Sequence, residues 1–312
     1  MGVIGSSSTV ARLAVLPAIE ASPSAVLAAT ASLSDPAAAY HSYEDLLADE
    51  AVEAVYVPLP NSLHAEWTER AARAGKHVLC EKPLAPNAAQ AAEMAAACAK
   101  AGVVLMEAYM TFFHPRHRLL EETVAGGAVG ELLLAHAEFT GVLARREDHR
   151  YRPEMGGGAL LDVGIYCLSP LLALAGIEPV LSEKVRRVSA LARRNEAGVD
   201  TTFSGWLDFG AGRSGSFLCS FEAPEMQRLR VVGTAGRIEL ERAFTPGSSD
   251  ASLVVTDRDG ERRSIASEAL DPYEAMVEHF AAVVRGRAAP ARPPEVSVGL
   301  QRLVDRLQEA AR

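Results

Sequence analysis

Short apolar runs in the first third of the chain alternate with segments whose apolar residues recur every three to four positions, the pattern of strands joined by helices. Gly2–Ile4, Ala25–Ala31, Ala54–Val57, His77–Cys80 and Val103–Met106 read as strands. Asn61 opens a helix running toward Gly75. Asn87 opens another, with Gln90 three residues on as a capping-box partner and Gly102 as its terminator. The region after Ala31 passes from Ser32-Leu33-Ser34-Asp35-Pro36 to His41-Ser42-Tyr43-Glu44 with little room for a helix. Strand–helix alternation predicts a parallel sheet. Helices that start just past a strand's carboxyl end point free N–H groups into the crevice where such sheets hold ligands.

From about Gly130 the period changes to longer strand candidates separated by turn residues: Leu132–Val142, Thr201–Phe209, Ser214–Phe221, Leu229–Val232 and Arg237–Leu240. These predict a large, mostly antiparallel open sheet. One amphipathic helix from about Ala159 to Ala175 interrupts it, and helices near Pro272–Val284 and Val296–Arg312 close the chain. The expected fold is therefore an α/β domain over residues 1–107 followed by an α+β domain over 108–312.

Composition adds exclusions. The 312 residues are 49% apolar and 23% charged, the usage of a globular protein of about two domains. A formal net charge of −9 argues against nucleic acid as a partner, because gripping a phosphate backbone needs clustered Lys and Arg. The start lacks a charged segment followed by a long apolar one, and no apolar stretch of about twenty residues stands out, so neither export nor a membrane is expected. Cys80, Cys98, Cys167 and Cys219 show neither paired nor metal-ligand spacing, and the eight histidines form no ligand-spaced cluster. No metal is expected, and the cysteines fit small buried hydrophobes in a reducing, cytoplasmic setting.

The sharpest chemical signal is Cys80-Glu81-Lys82-Pro83, where the fourth strand runs into its loop. Taken alone, Lys82 fits either a solvated loop lysine or an amine that holds a hydroxyl and exchanges its proton. The run Val57-Pro58-Leu59-Pro60-Asn61, with His64 three residues beyond Asn61, precedes it by one helix. In the second domain stand Gly156-Gly157-Gly158-Ala159-Leu160-Leu161-Asp162-Val163-Gly164-Ile165-Tyr166, then Val232-Gly233-Thr234-Ala235-Gly236. Asp162 and Tyr166, four residues apart, share a helix face.

In their order, these motifs resemble the superfamily of glucose-fructose oxidoreductase, inositol dehydrogenase and rhizopine-catabolism dehydrogenases over nearly the whole chain. The tyrosine in the last place resembles the branch of sugar 3-ketoreductases and aldose and dihydrodiol dehydrogenases. The resemblance implies a Rossmann-type domain binding NADP, with NAD as the alternative, and a substrate domain. It implies catalytic roles for Lys82, Tyr166 and Asp162, and dinucleotide contacts from Gly5, Ser6, Ser7, Ser8, Ser32, Pro58, Leu59, Asn61, His64, Glu81 and Lys82. Tyr109, His114 and Arg152, with Asp162 and Tyr166, are then the substrate-side candidates. The segment Gly5-Ser6-Ser7-Ser8-Thr9-Val10-Ala11 departs from Gly-x-Gly-x-x-Gly, keeping one glycine and substituting serines that can also meet phosphate.

The expected activity is hydride transfer, in either direction, between a nicotinamide and a sugar-like alcohol or ketone, with a pyranose or nucleotide-linked keto-sugar favoured as substrate. Aldose 1-dehydrogenation, trans-dihydrodiol oxidation and dinucleotide sensing without turnover are the alternatives. By the same likeness a homodimer or homotetramer is expected.

Overall fold

The computed structural model describes every residue except 146 and 248–251, and only the backbone of 179–181. Two compact units result, one from Met1–Phe113 with Pro272–Val298, the other from His114–Asp271 with Gly299–Arg312. The first unit thus extends past residue 107 and regains the chain after 271. Local packing explains this: the late helix over Pro272–Val284 lies on the helical segments at 11–21 and 110–113.

The first unit runs β1 (Gly2–Ile4), a π-helical turn into α1 (Leu16–Ala21), β2 (Ala29–Ala31), α2 (Tyr43–Ala48), β3 (Ala54–Val57), α3 (His64–Arg73), β4 (His77–Glu81), α4 (Ala88–Ala101) and β5 (Leu105–Ala108). Its five strands are parallel in the order β2-β1-β3-β4-β5. The order reverses between β1 and β3, so a crevice opens at their carboxyl ends. β3 is buried along its whole length, as a strand covered on both faces must be. α3 buries His64, Trp67, Thr68, Ala71 and Ala72, and α4 buries Ala91, Met94 and Cys98, both with helical spacing.

Several expectations are corrected. The second strand spans only Ala29–Ala31, and the fifth lies two residues later than expected. A six-residue helix does fit after Ala31: Ser42 caps α2 by accepting from the Asp45 N–H at 3.2 Å. Asn61 begins a short 3₁₀ turn that leads into α3. Asn87 caps α4 through the Gln90 N–H at 3.0 Å, but the return half of the box is not made, since Gln90 Oε1 is buried without a hydrogen-bond partner. Gly102 ends α4 with φ of 70°.

The second unit runs α5 (Pro115–Ala125), β6 (Leu132–Thr140), α6 (Ile165–Leu174), β7 (Arg187–Arg194), β8 (Asp200–Gly210), β9 (Arg213–Ser220), β10 (Met226–Gly233), β11 (Gly236–Glu241), β12 (Ser252–Asp257) and β13 (Arg262–Ala266). The helices α7 (Pro272–Val284) and α8 (Pro294–Ala310) follow, the division between units falling within α8. The sheet order is β13-β12-β11-β10-β6-β9-β8-β7, antiparallel except for the parallel pair β6–β9. Three of these strands, β7, β12 and β13, were not anticipated.

The helix expected to be amphipathic is buried almost throughout: Ile165 to Leu172 and Leu174 are all buried, and α6 packs across β6 and β9. A π-helical turn, Leu160–Gly164, precedes it. The segment Pro153–Leu174, whose helical pieces are interrupted at 156–158, has the length and mean hydropathy, 1.6, of a membrane span by composition alone. Its apolar window is 78% buried inside the protein, as for a core helix. All four cysteines are free and buried.

Candidate active site

In the first unit the candidate residues gather on the carboxyl edge of the parallel sheet. Gly5, just past β1, has φ of +77°, and a Cβ there would come within 2.6 Å of the Leu59 side chain in the loop after β3. Only glycine satisfies both the backbone and the close approach. The N–H groups of Gly5 and Ser6 donate to Ala31 O at 2.9 and 3.1 Å, and the Ser6 hydroxyl reaches the same carbonyl. Ser8 Oγ accepts from the Ala11 N–H, while Ser7 is exposed. Ser32, fully buried, turns its hydroxyl to the N–H groups of Ser34 and Asp35.

β4 ends at Glu81 and delivers Lys82, partly buried, into the next loop. Glu81 is 8% exposed; its carboxylate accepts from Tyr56 Oη at 2.6 Å and from the Lys82 N–H at 3.1 Å. Burial raises its pKa above the usual carboxylate range, and the Lys82 charge opposes that rise. His64 is fully buried, with Nε2 2.8 Å from Leu59 O and Nδ1 2.9 Å from Pro83 O. Burial lowers its pKa, and a neutral ring donates to only one of these carbonyls at a time. Its two ring nitrogens face carbonyls of the loop after β3 and the loop after β4, so His64 bridges the two loops. Pro58 is buried, and Leu59 and Asn61 are partly exposed beside it.

Glu107, near the end of β5 and 3% exposed, accepts from the Leu84 N–H at 2.9 Å and from Ser297 Oγ at 2.7 Å, and pairs with Arg292 at 3.4 Å. The Arg292 guanidinium lies 4.5 Å from the centre of the Tyr109 ring, so Tyr109, 1% exposed, serves as a platform.

In the second unit the glycine run precedes the π-helical turn that carries Asp162. Gly158 has φ of +129°, and a Cβ would stand 2.4 Å from Asp200 Oδ1. Asp200, 4% exposed, accepts from the Leu160 N–H at 2.8 Å and so caps the helix bearing both Asp162 and Tyr166. Burial lifts the Asp200 carboxyl to about 6 against the pull of those N–H groups. Asp162 pairs with Arg150 Nε at 2.8 Å, and Arg150 also reaches Asp148 at 3.2 Å. Tyr166 is 6% exposed, its ring 5.4 Å from Phe139 and 6.4 Å from Phe244, which stack on each other. Arg152 is exposed. His114, 1% exposed, caps α5 by accepting from the Arg116 N–H at 3.1 Å, which places it in the frame rather than on a pocket wall.

Asp200 and the Phe139–Phe244 pair escaped the sequence reading, and Arg150 and Glu107 were not selected as site residues. Glu107 and Asp200 had a usable signal, a single acid at the end of a predicted buried strand. Arg150 stood two places from the arginine selected. Among the described residues no group of three or more His, Cys, Asp or Glu side chains is placed to hold a metal.

Comparison with known proteins agrees with this layout. The description "Oxidoreductase family, NAD-binding Rossmann fold" matches residues 6–109, and "GFO/IDH/MocA C-terminal domain" matches 117–239. D-xylose 1-dehydrogenase (NADP(+)) 2 of Haloferax volcanii is 35% identical over 99% of this chain and 96% of its own length. A dTDP-3,4-didehydro-2,6-dideoxy-alpha-D-glucose 3-reductase of Streptomyces violaceoruber is 37% identical over 91% of this chain and 85% of its own. The crystal structure of KijD10, a 3-ketoreductase from Actinomadura kijaniata in complex with NADP and TDP-benzene, superposes with a TM-score of 0.90 at 31% identity, covering 100% of this chain and 97% of the other. The chain belongs to the Gfo/Idh/MocA oxidoreductase family.

Proposed function

We propose that this protein is an NADP-dependent oxidoreductase whose substrate is a sugar or sugar-like alcohol or ketone, with Lys82 and Tyr166 handling the proton. The observation that carries the reading is the delivery of Lys82 at the carboxyl end of β4, on the sheet edge where the loops after β1 and β3 abut, in a loop fixed by buried hydrogen bonds. The xylose dehydrogenase and keto-sugar reductase relatives support the substrate class.

A dinucleotide fits that edge. Gly5, at a φ that side chains rarely adopt, lets the loop after β1 pass close to Leu59, and the exposed Ser7 offers its hydroxyl beside it. Gly5, Ser7, Pro58, Leu59 and Asn61 would hold the cofactor, which supplies the hydride chemistry when bound. The chain's own residues place the substrate and manage its proton. In reduction, the Lys82 ammonium or the Tyr166 hydroxyl donates to the oxygen that becomes a hydroxyl; in oxidation the same groups take the hydroxyl proton. Asp162, held by Arg150, is assigned to substrate binding beside Tyr166 on the same helix, and the exposed Arg152 to a charged substrate portion. A pyranose or a nucleotide-linked keto-sugar is the favoured substrate.

The buried, unpaired cysteines support a reducing cytoplasmic setting. Leu191, 77% exposed, and Trp206, 50% exposed, supply apolar surface on neighbouring strands of the second sheet and support a homodimer or homotetramer, which light scattering would measure.

The test titrates NADP(H) and NAD(H) by thermal shift, then follows nicotinamide absorbance across keto-sugar nucleotides, free aldoses and trans-dihydrodiols. Tighter NADP(H) binding with turnover of one class is expected, and Lys82→Ala should lower that turnover by about 10²-fold or more while dinucleotide affinity stays within several-fold. Parent-level turnover in Lys82→Ala would remove the lysine from the reaction.

A further inference from the structure

Three buried side chains grip the backbone on either side of Lys82. Glu81 accepts from the Lys82 N–H, His64 contacts Pro83 O, and Glu107 accepts from the Leu84 N–H. The first two lie within the motifs that mark the site. Glu107 lies on the neighbouring strand β5, and its second oxygen is held by residues 185 and 190 positions later, the Arg292 guanidinium and the Ser297 hydroxyl. Both are 3% exposed or less.

We propose that Glu107, oriented by Arg292 and Ser297, is a positioning residue for Lys82; this rests on the catalytic assignment of Lys82. The argument is geometric. A loop leaving a buried strand carries N–H groups with no ladder partner, and each must find an acceptor. At Leu84 that acceptor is a carboxylate, which makes a shorter and stronger bond than a neutral group and fixes the backbone two residues from the reacting amine. A carboxylate swings about its last torsion unless its other oxygen is anchored. Ser297 at 2.7 Å and Arg292 at 3.4 Å supply the anchor. Arg292 is itself seated over the Tyr109 ring at 4.5 Å and lies 5.6 Å from the Phe112 ring centre, so two aromatic rings help hold the anchor. Residues 292–297 therefore belong to the machinery of the first unit, although more than 180 positions separate them from Glu107.

Glu107→Gln preserves shape while removing the charge, and Ser297→Ala removes one anchor. For Glu107→Gln we expect kcat to fall about ten- to hundredfold with NADP affinity within a few-fold, the scale on which misplacing a reacting group acts. For Ser297→Ala the fall is about three- to tenfold, one hydrogen bond's worth. In both, the Leu84 amide, followed by hydrogen exchange with labelled leucine, should exchange at least about tenfold faster while Leu79 in β4 is unchanged. In a Lys82→Ala background, Glu107→Gln should leave the residual turnover unaltered, because the group it positions is gone.

Parent-like Leu84 exchange in Glu107→Gln overturns this role alone, as does faster exchange with parent kcat or a full additive loss in the Lys82→Ala background. Parent turnover in Lys82→Ala overturns the catalytic assignment and this role with it. Should Glu107→Gln not fold, Ser297→Ala carries the same comparisons.

Discussion

Replacing Gly158 by alanine perturbs two things at one point. The backbone there has φ of +129°, a region that an L side chain enters at a cost of about 1–3 kcal/mol. The new Cβ would also stand 2.4 Å from Asp200 Oδ1. That carboxylate must move, yet it is only 4% exposed. Moving it weakens the 2.8 Å bond from the Leu160 N–H, a charge-assisted contact worth about 1.5–3 kcal/mol. Together the terms predict a loss of about 3–5 kcal/mol in the second unit. Because the protein has two units, global unfolding is a poor ruler. Hydrogen exchange of peptides spanning 160–174 should report the loss, with peptides over α4 as the unaffected control. Adding Asp200→Ala removes the atom that the Cβ strikes, so the two substitutions together should cost less than their sum. A single-variant loss under about 0.5 kcal/mol, or strict additivity, would refute the account of why glycine stands at 158.

Two further outcomes follow from the buried carboxyls. Asp200 titrates at about 6 in the native state against an ordinary 3.8, so the folded protein binds that proton more tightly than the unfolded chain. Its contribution to stability therefore declines by about 3 kcal/mol as pH rises from about 4 to about 6 and stays at the lower level above; Asp200→Asn should erase that slope in exchange measurements of 160–174, and an unchanged slope would contradict it. Tyr56→Phe removes the 2.6 Å donor to Glu81 and should cost about 1–3 kcal/mol. Since Glu81 is already raised by burial and loses a donor that favours its ionised form, the drop in melting temperature should be larger at pH 8 than at pH 5, and the reverse order would refute the assignment.

The parallel sheet was readable because its strands are short apolar runs between helices of plain period, and β1 and β3 lie where that pattern put them. What failed were features that depend on distant partners. β7 alternates correctly, but Arg187, Arg193 and Arg194 at its ends and the 77% exposed Leu191 disguise an edge strand. β13 carries Arg262 and Arg263, charges suited to protecting an edge. α6 was misread because a helix buried on all sides has no polar face to set its period. The regain of Pro272–Val298 by the first unit has no local signature at all. Of the candidate site residues, Lys82, Asp162 and Tyr166 were legible as motifs. The supports Arg150, Asp200 and the Arg292–Glu107 pair were not, because each acts across forty positions or a different element.

The supports share one piece of physics. Glu81, Glu107 and Asp200 are each at least 92% buried, and each accepts the backbone N–H of a residue from zero to six positions away from Lys82 or Tyr166. Burying a carboxylate opposes folding, as the raised pKa values of Glu81 and Asp200 record. An apolar residue would avoid that cost, but it would leave the N–H groups of irregular backbone at the strand and helix ends unsatisfied. A neutral acceptor would satisfy them more weakly and with one lone-pair oxygen instead of two. With two oxygens, Glu81 joins Tyr56 to the Lys82 backbone and Glu107 joins Ser297 and Arg292 to Leu84, so one side chain locks a loop to a strand or a distant segment. Stability is thereby exchanged for a fixed backbone on either side of Lys82 and at the start of the helix that carries Tyr166.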